Sequence, residues 1–185
     1  MGRQDAVALE RMDGPAAAAA EGALRAVYAE VFAEPPYAET ERDVAAAFDR
    51  FRAQTREHGF RAVLARAEDG TPVGFAFGFP LAADTPWWDE LTGPVAEELR
   101  REDGRRTFGL LELAVRRTRR GQGIARRLHT ALVEGLETER VLLNVSPHAE
   151  AARAAYRSWG YRTIGEARPG GPGTAVYEVM LRTLR

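Results

Sequence analysis

The sequence predicts an α/β chain of the α+β type, with a mixed, largely antiparallel central sheet of six to seven strands flanked by helices. Apolar residues alternate or form short blocks in some segments, and recur at three- and four-residue spacing in others. The two kinds of segment interleave in mixed order, without the strict strand–helix alternation of a parallel sheet. At 185 residues, 45% hydrophobic and 29% charged, the chain is the size and composition of one globular domain, expected to span residues 1–185.

Ala6 to Leu9 is a short apolar first strand before Asp13-Gly14-Pro15. From Pro15 onward an alanine run, then Leu24, Val27, Tyr28, Val31 and Phe32, has the spacing of one helix. Glu34-Pro35-Pro36-Tyr37 ends it in a stiff turn. Thr40 is placed to cap the next helix, with Asp43 in its first turn and Val44, Ala47, Phe48 and Phe51 on one face. Phe60–Ala67 and Pro72–Pro80 are hairpin strands joined by Glu68-Asp69-Gly70-Thr71.

Ala82 to Arg106 is irregular, holds Trp87-Trp88 and a short helix from Pro94 to Arg101, and reads as a long insertion. Thr107 to Val115 is a strand, and Ile124, Leu128, Ala131, Leu132 and Leu136 mark an amphipathic helix after it. Arg140–Val145 is apolar enough for a central strand. Ser146-Pro147 has the form of a helix start, with Gly160 as its stop. Tyr161–Gly165 and Thr174–Leu184, around a glycine/proline turn, complete the sheet.

A formal net charge of −1 gives no general attraction to nucleic acid or an anionic membrane. All 26 lysine-plus-arginine residues are arginine, which removes Schiff-base chemistry and any P-loop lysine. Without cysteine there is no disulfide, thiolate nucleophile or cysteine metal site. The histidines, His58, His129 and His148, lack metal-ligand spacing, and His58 and His129 read as surface residues. No signal peptide or membrane-length apolar run is visible, so a cytoplasmic protein is expected.

Between the strand ending at Val115 and the helix starting near Ile124 lies Arg116-Arg117-Thr118-Arg119-Arg120-Gly121-Gln122-Gly123. A helix N-terminus offers unpaired amides and a partial positive charge, and glycine lets a ligand approach the backbone. This is a recipe for holding a phosphate or pyrophosphate. The crowded arginines make sense if they share an anion, although some can pair with carboxylates. A plain tight turn is the simpler alternative, and Arg126 stands where a dinucleotide-binding fingerprint wants a third glycine.

Arg120, Gly123 and Ala125 fill the pattern Gln/Arg-x-x-Gly-x-Gly/Ala, and Ala152, Tyr156, Gly160 and Tyr161 follow in a second block. Both resemble the GCN5-related N-acetyltransferase (GNAT) family, whose order of elements matches most of the chain. The resemblance implies that the backbone of Gly121, Gln122, Gly123, Ile124, Ala125 and Arg126, with Arg120, holds the pyrophosphate of acetyl-CoA. It implies that Leu113, Ala114 and Val115 bond the pantetheine arm. Tyr156 matches the usual general acid, against packing as a core tyrosine. A phenol, with an ordinary pKa of about 10, is protonated at neutral pH. Glu112, an acidic residue in an apolar strand, is the candidate base, with a salt bridge to an arginine as the equal alternative. Where the family often has a cofactor-contacting asparagine this chain has Ala149, with His148 and Asn144 nearby in sequence. Asn144 is not a base, which sends that role to Glu112 or ordered water.

By the same resemblance, the acceptor pocket draws on Phe32, Tyr37, Phe77, Trp87 and Trp88, with core capping as the alternative for the tryptophans. The expected function is direct acetyl transfer to the primary amine of a small molecule or peptide. A non-catalytic acyl-CoA-binding domain and a longer acyl group are the alternatives. A homodimer through the last strand stays open, and no metal, nucleic acid or membrane partner is expected.

Overall fold

The computed structural model describes residues 6–184. Seven strands form one mixed sheet in the order β1-β2-β3-β4-β5-β7-β6. They are β1 (Ala8–Met12), β2 (Arg61–Arg66), β3 (Pro72–Pro80), β4 (Thr107–Val115), β5 (Arg140–Val145), β6 (Arg162–Ala167) and β7 (Tyr177–Thr183). Pairing is antiparallel for β1–β2, β2–β3, β5–β7 and β6–β7, and parallel for β4–β5. The helices are α1 (Gly14–Ala19), α2 (Glu21–Phe32), α3 (Glu41–Gln54), α4 (Glu97–Arg100), α5 (Ile124–Val133) and α6 (Glu150–Ser158). The chain groups into two compact units, one holding the residues up to Phe79 with Leu111–Leu136, the other Pro80–Leu110 with the residues from Glu137.

In the first unit, α2 and α3 bury Leu24, Val27, Tyr28, Phe32, Val44, Phe48 and Phe51 against Leu64, Phe75 and Phe77. The helical stretch read as continuous is broken at Ala20, the C-cap of α1 and N-cap of α2. Alanine favours helix without fixing where it bends, so composition was silent about this break. Thr40 and Asp43 close a reciprocal capping box: the Thr40 amide donates to Asp43 Oδ2 at 2.8 Å and the Asp43 amide to Thr40 Oγ1 at 3.4 Å. The Thr40 hydroxyl, which donates to Asp43 Oδ2 at 2.7 Å, and then the Thr40 amide hold the Asp43 carboxyl below its ordinary pKa.

Gly14 packs so tightly that a Cβ there would lie 1.9 Å from the Thr55 carbonyl oxygen. Backbone cannot move aside as a flexible side chain can. Gly14→Ala is therefore expected to cost about 1–3 kcal/mol, the range for overpacking, measured as a lower denaturation midpoint.

In the second unit, Leu81, Trp88, Leu142, Ala167, Val179 and Leu181 form the core, with Trp87, Leu91 and Leu99 packed on it. The irregular insertion is pinned by backbone bonds, from Thr92 to Glu166 and from Arg168 to Glu90, each 2.9 Å. Only four of the residues expected in its short helix are helical, Glu97–Arg100. Ser146-Pro147 does not start α6. That helix begins at Glu150 after Ala149, and Ser146 Oγ instead accepts from the His148 amide at 3.3 Å. A serine that closes a local turn on its own neighbours competes with its use as a cap. The first strand lies at Ala8–Met12, two residues later than its expected start at Ala6.

Candidate functional site

Strand β4 enters a short 3-10 turn, Arg117–Arg119, and then Arg120-Gly121-Gln122-Gly123 before α5. Gly121 and Gly123 have φ of 74° and 75°, a left-handed backbone that disfavours side chains. A Cβ at either would meet no atom within 4 Å, so the turn presents open backbone. Gly123 is the N-cap of α5 and gives its first-turn amides no side-chain acceptor. Gly121, Gln122, Gly123 and Arg126 are exposed, Ala125 is partly exposed, and Ile124 is buried as the anchor. The parallel ladder from β4 to β5 comprises Thr107, Phe108 and Gly109, and does not include Leu113, Ala114 or Val115.

Two of the four arginines before the glycines, Arg116 and Arg120, are paired with carboxylates. Arg116 pairs with Glu30 and donates Nε to the Pro72 carbonyl at 2.8 Å. Arg120 pairs with Glu34 at 2.9 Å and donates Nε to the Val115 carbonyl at 3.0 Å. Glu30 lies on the last turns of α2 and Glu34 two residues past its end. Sequence spacing could not reveal partners some 86 residues away.

Glu112 sits on β4 beside a cavity of about 30 Å³ lined by Tyr28, Ala47, Phe48, Arg50, Phe51, Gln54, Phe77 and Leu111. Burial, and then the charge of Glu39, push its carboxyl up to about 8, opposed by Arg50. Tyr28 Oη donates to Glu39 Oε1 at 3.1 Å, while Glu39 Oε2 is buried without a hydrogen-bond partner. Burial comes first in raising the Glu39 carboxyl and the Tyr28 phenol alike. Among the described residues no guanidinium is hydrogen-bonded to Glu112, whereas Glu30 and Glu34 each take an arginine. Sequence reading singled out neither Glu39 nor Arg50. The available signal was Tyr28, whose hydroxyl on the apolar face of α2 needs a partner when buried.

Tyr156, on α6, is 7% exposed, with Trp159 and Tyr161 edge-on to its ring at 5.6 and 5.5 Å. Arg153 and Arg157 of the same helix pair with Glu178 on β7, which also accepts from Thr163. Asn144 Oδ1 on β5 is buried without a hydrogen-bond partner.

Phe32, Tyr37 and Phe77 belong to the first unit's core cluster, with Tyr37 only partly buried and Phe77 also lining the Glu112 cavity. Trp87 and Trp88 are part of the other unit's core. Trp88, 4% exposed, donates Nε1 to Glu102 at 2.9 Å. His129 is a correction: it was expected on the surface but is 2% exposed on the inner side of α5. Among the described residues no group of three histidine, cysteine, aspartate or glutamate side chains could hold a metal ion. No helix among them is long and apolar enough to cross a membrane.

The model of the Acetyltransferase (GNAT) family matches residues 24–161, from α2 through the glycine turn and α6 to Tyr161. The chain belongs to the GNAT acetyltransferase family. Its fold is similar to that of a GNAT-family acetyltransferase from Staphylococcus aureus, with a TM-score of 0.68 at 14% identity over 97% of this chain and 100% of that one. A structure assigned to the same family from Desulfovibrio desulfuricans gives 0.65 at 17% identity, again over 97% and 100%. A ribosomal-protein alanine N-acetyltransferase from Escherichia coli gives 0.59 at 17% identity, over 97% and 94%. No curated protein matches the sequence significantly. These likenesses establish the GNAT fold, a seven-stranded mixed sheet flanked by helices, and family membership brings acyltransferase chemistry with it.

Proposed function

We propose that the chain is one acetyltransferase domain that moves an acetyl group from acetyl-CoA to a primary amine by direct attack. The observation that carries this reading is the uncapped, glycine-opened N-terminus of α5 immediately after the strand bearing Glu112. The open amides of Gly121 to Arg126 suit a pyrophosphate, with the helix dipole adding favourable charge. Arg120 already has two partners, so its part there is to brace the turn. The β4 edge at Leu113, Ala114 and Val115, outside the ladder to β5, leaves backbone groups for a pantetheine amide.

Glu112 takes a proton from the attacking amine as the nitrogen–carbon bond forms. The carbon–sulfur bond breaks, and Tyr156 supplies the proton that the departing thiolate needs. Direct transfer needs no nucleophilic side chain on the enzyme, in keeping with a chain that has no cysteine. In thermal unfolding, acetyl-CoA is expected to raise Tm in a concentration-dependent way, equivalent to about 2.7 kcal/mol at a hundredfold excess over Kd. No shift at millimolar acetyl-CoA overturns the reading.

A further inference from the structure

Resting on the acetyltransferase reading above, the surroundings of Glu112 say more about the acceptor than that it is an amine. Glu39 lies between α2 and α3, where its backbone amide donates to the Phe32 carbonyl at 2.8 Å. One of its carboxylate oxygens is held by Tyr28; the other is buried and unpartnered. An oxygen in that state costs free energy until a donor meets it. The charges that act on the pair are Glu39 and Glu112 themselves, Asp43, and Arg50, the one cation among them. Asp43 is already held by Thr40, and Arg25 lies over the Phe48 ring, 5.8 Å from its centre. The Glu112 cavity has four aromatic residues in its lining, Tyr28, Phe48, Phe51 and Phe77, with Arg50 as its one lining cation. Once Glu112 is ionised the two carboxylates outnumber Arg50, and beside aromatic faces that excess favours a positively charged guest.

A reacting ammonium cannot remain that guest, because it gives up its charge to Glu112 before the new bond is complete. Glu39 has no proton to take in that step. We propose that Glu39 selects the acceptor, its Tyr28-anchored carboxylate binding a second, non-reacting ammonium of a diamine whose other nitrogen goes to Glu112. Glu39 accepts a charge-assisted hydrogen bond and undergoes no covalent change. The second positive charge also opposes the repulsion that Glu39 exerts on ionised Glu112, so the right substrate favours the base form of that residue.

The test is calorimetric titration of the protein, in the presence of millimolar CoA, with 1,4-diaminobutane and with butylamine, which has the same carbon chain and one charge. The diamine is expected to bind about tenfold tighter or more, the worth of one hydrogen bond to a charged group. E39Q, which keeps the shape and a partner for Tyr28, is expected to bring the diamine down to the affinity of butylamine. Y28F, which keeps the charge and loses the anchor, is expected to fall between. Equal binding of the two amines, or a diamine preference that survives E39Q, overturns the assignment. The outcome separates from failure of the parent reading: a normal acetyl-CoA thermal shift without diamine preference rejects Glu39 alone, whereas no thermal shift rejects the transferase.

Discussion

Arg140→Met is expected to destabilise the protein by about 3–5 kcal/mol, the cost of removing one member of a buried ion pair. The Arg140 and Glu102 side chains are 5% and 1% exposed, and their closest nitrogen–oxygen distance is 3.0 Å. Arg140 also donates Nε to Thr107 Oγ1 and Nη2 to the Leu99 carbonyl, both at 2.7 Å, and lies 5.2 Å from the Trp88 ring centre. Glu102 Oε1 gathers three donors, from Arg140, Trp88 and Thr107. Methionine removes the cation and strands the carboxylate in its low-dielectric surroundings. In urea the unfolding midpoint falls with little change in slope. Replacing both residues, Arg140→Met with Glu102→Leu, is expected to recover a large part of the loss, because an apolar pair carries no desolvation cost. A single-variant loss below about 1 kcal/mol, the scale of an exposed pair, refutes this account of the network.

Glu112→Gln carries the other large effect, and it moves activity and stability in opposite directions. Removal of the proposed general base is expected to lower kcat by about a hundredfold or more. Because the Glu112 carboxyl is pushed up to about 8 by burial and by Glu39, the wild-type rate should climb as pH rises through that value. The glutamine variant should lose this rise. Stability has the reverse sign. Unfolded glutamate ionises near its ordinary value of 4.5, while the folded group holds its proton to about 8. The unfolded chain therefore binds fewer protons across that interval, and native stability from this group declines as pH rises through it. The neutral variant escapes the decline, so above about pH 8 it should melt higher than the wild type while turning over far more slowly. Tyr156→Phe serves as the contrast: a similar loss of kcat with the ascending limb retained. A Glu112→Gln enzyme with wild-type kcat and an unchanged pH profile rules out this role for the carboxylate.

Local physics made much of the fold readable. The bounds of β3, β4 and β5 follow from pattern, and the capping box needs only two residues three apart. The glycine turn is equally local, since positive φ has to be supplied by residue type. Other features depend on partners far along the chain. Arg116 meets Glu30 on α2 and Arg120 meets Glu34 just past its end, Tyr28 meets Glu39, and Trp88 meets Glu102, none of which spacing displays. His129 shows the remaining difficulty: helical periodicity assigns a face, but neighbours packed around α5 decide how wide the buried face is. Around Glu112 the sequence showed an acidic residue in an apolar strand. The second carboxylate that perturbs it, Glu39, lies between the Glu34–Tyr37 turn and the Thr40 cap, where no sequence pattern singles it out.

The guanidinium–carboxylate pairs have a chemical consequence if the proposed acetyl-CoA, an activated thioester, is the donor. Arg116–Glu30, Arg120–Glu34, Arg140–Glu102 and Arg153–Glu178 all use a nitrogen that stays protonated and has no lone pair ready to attack a carbonyl carbon. Lysine in any of these places would hold its partner with a primary amine, the same functional group as the proposed acceptor. With no lysine in the sequence, no side-chain amine of the enzyme competes for the acyl group, and none of these ties can be neutralised by acylation. The ion-paired framework offers the proposed thioester no amine to acylate.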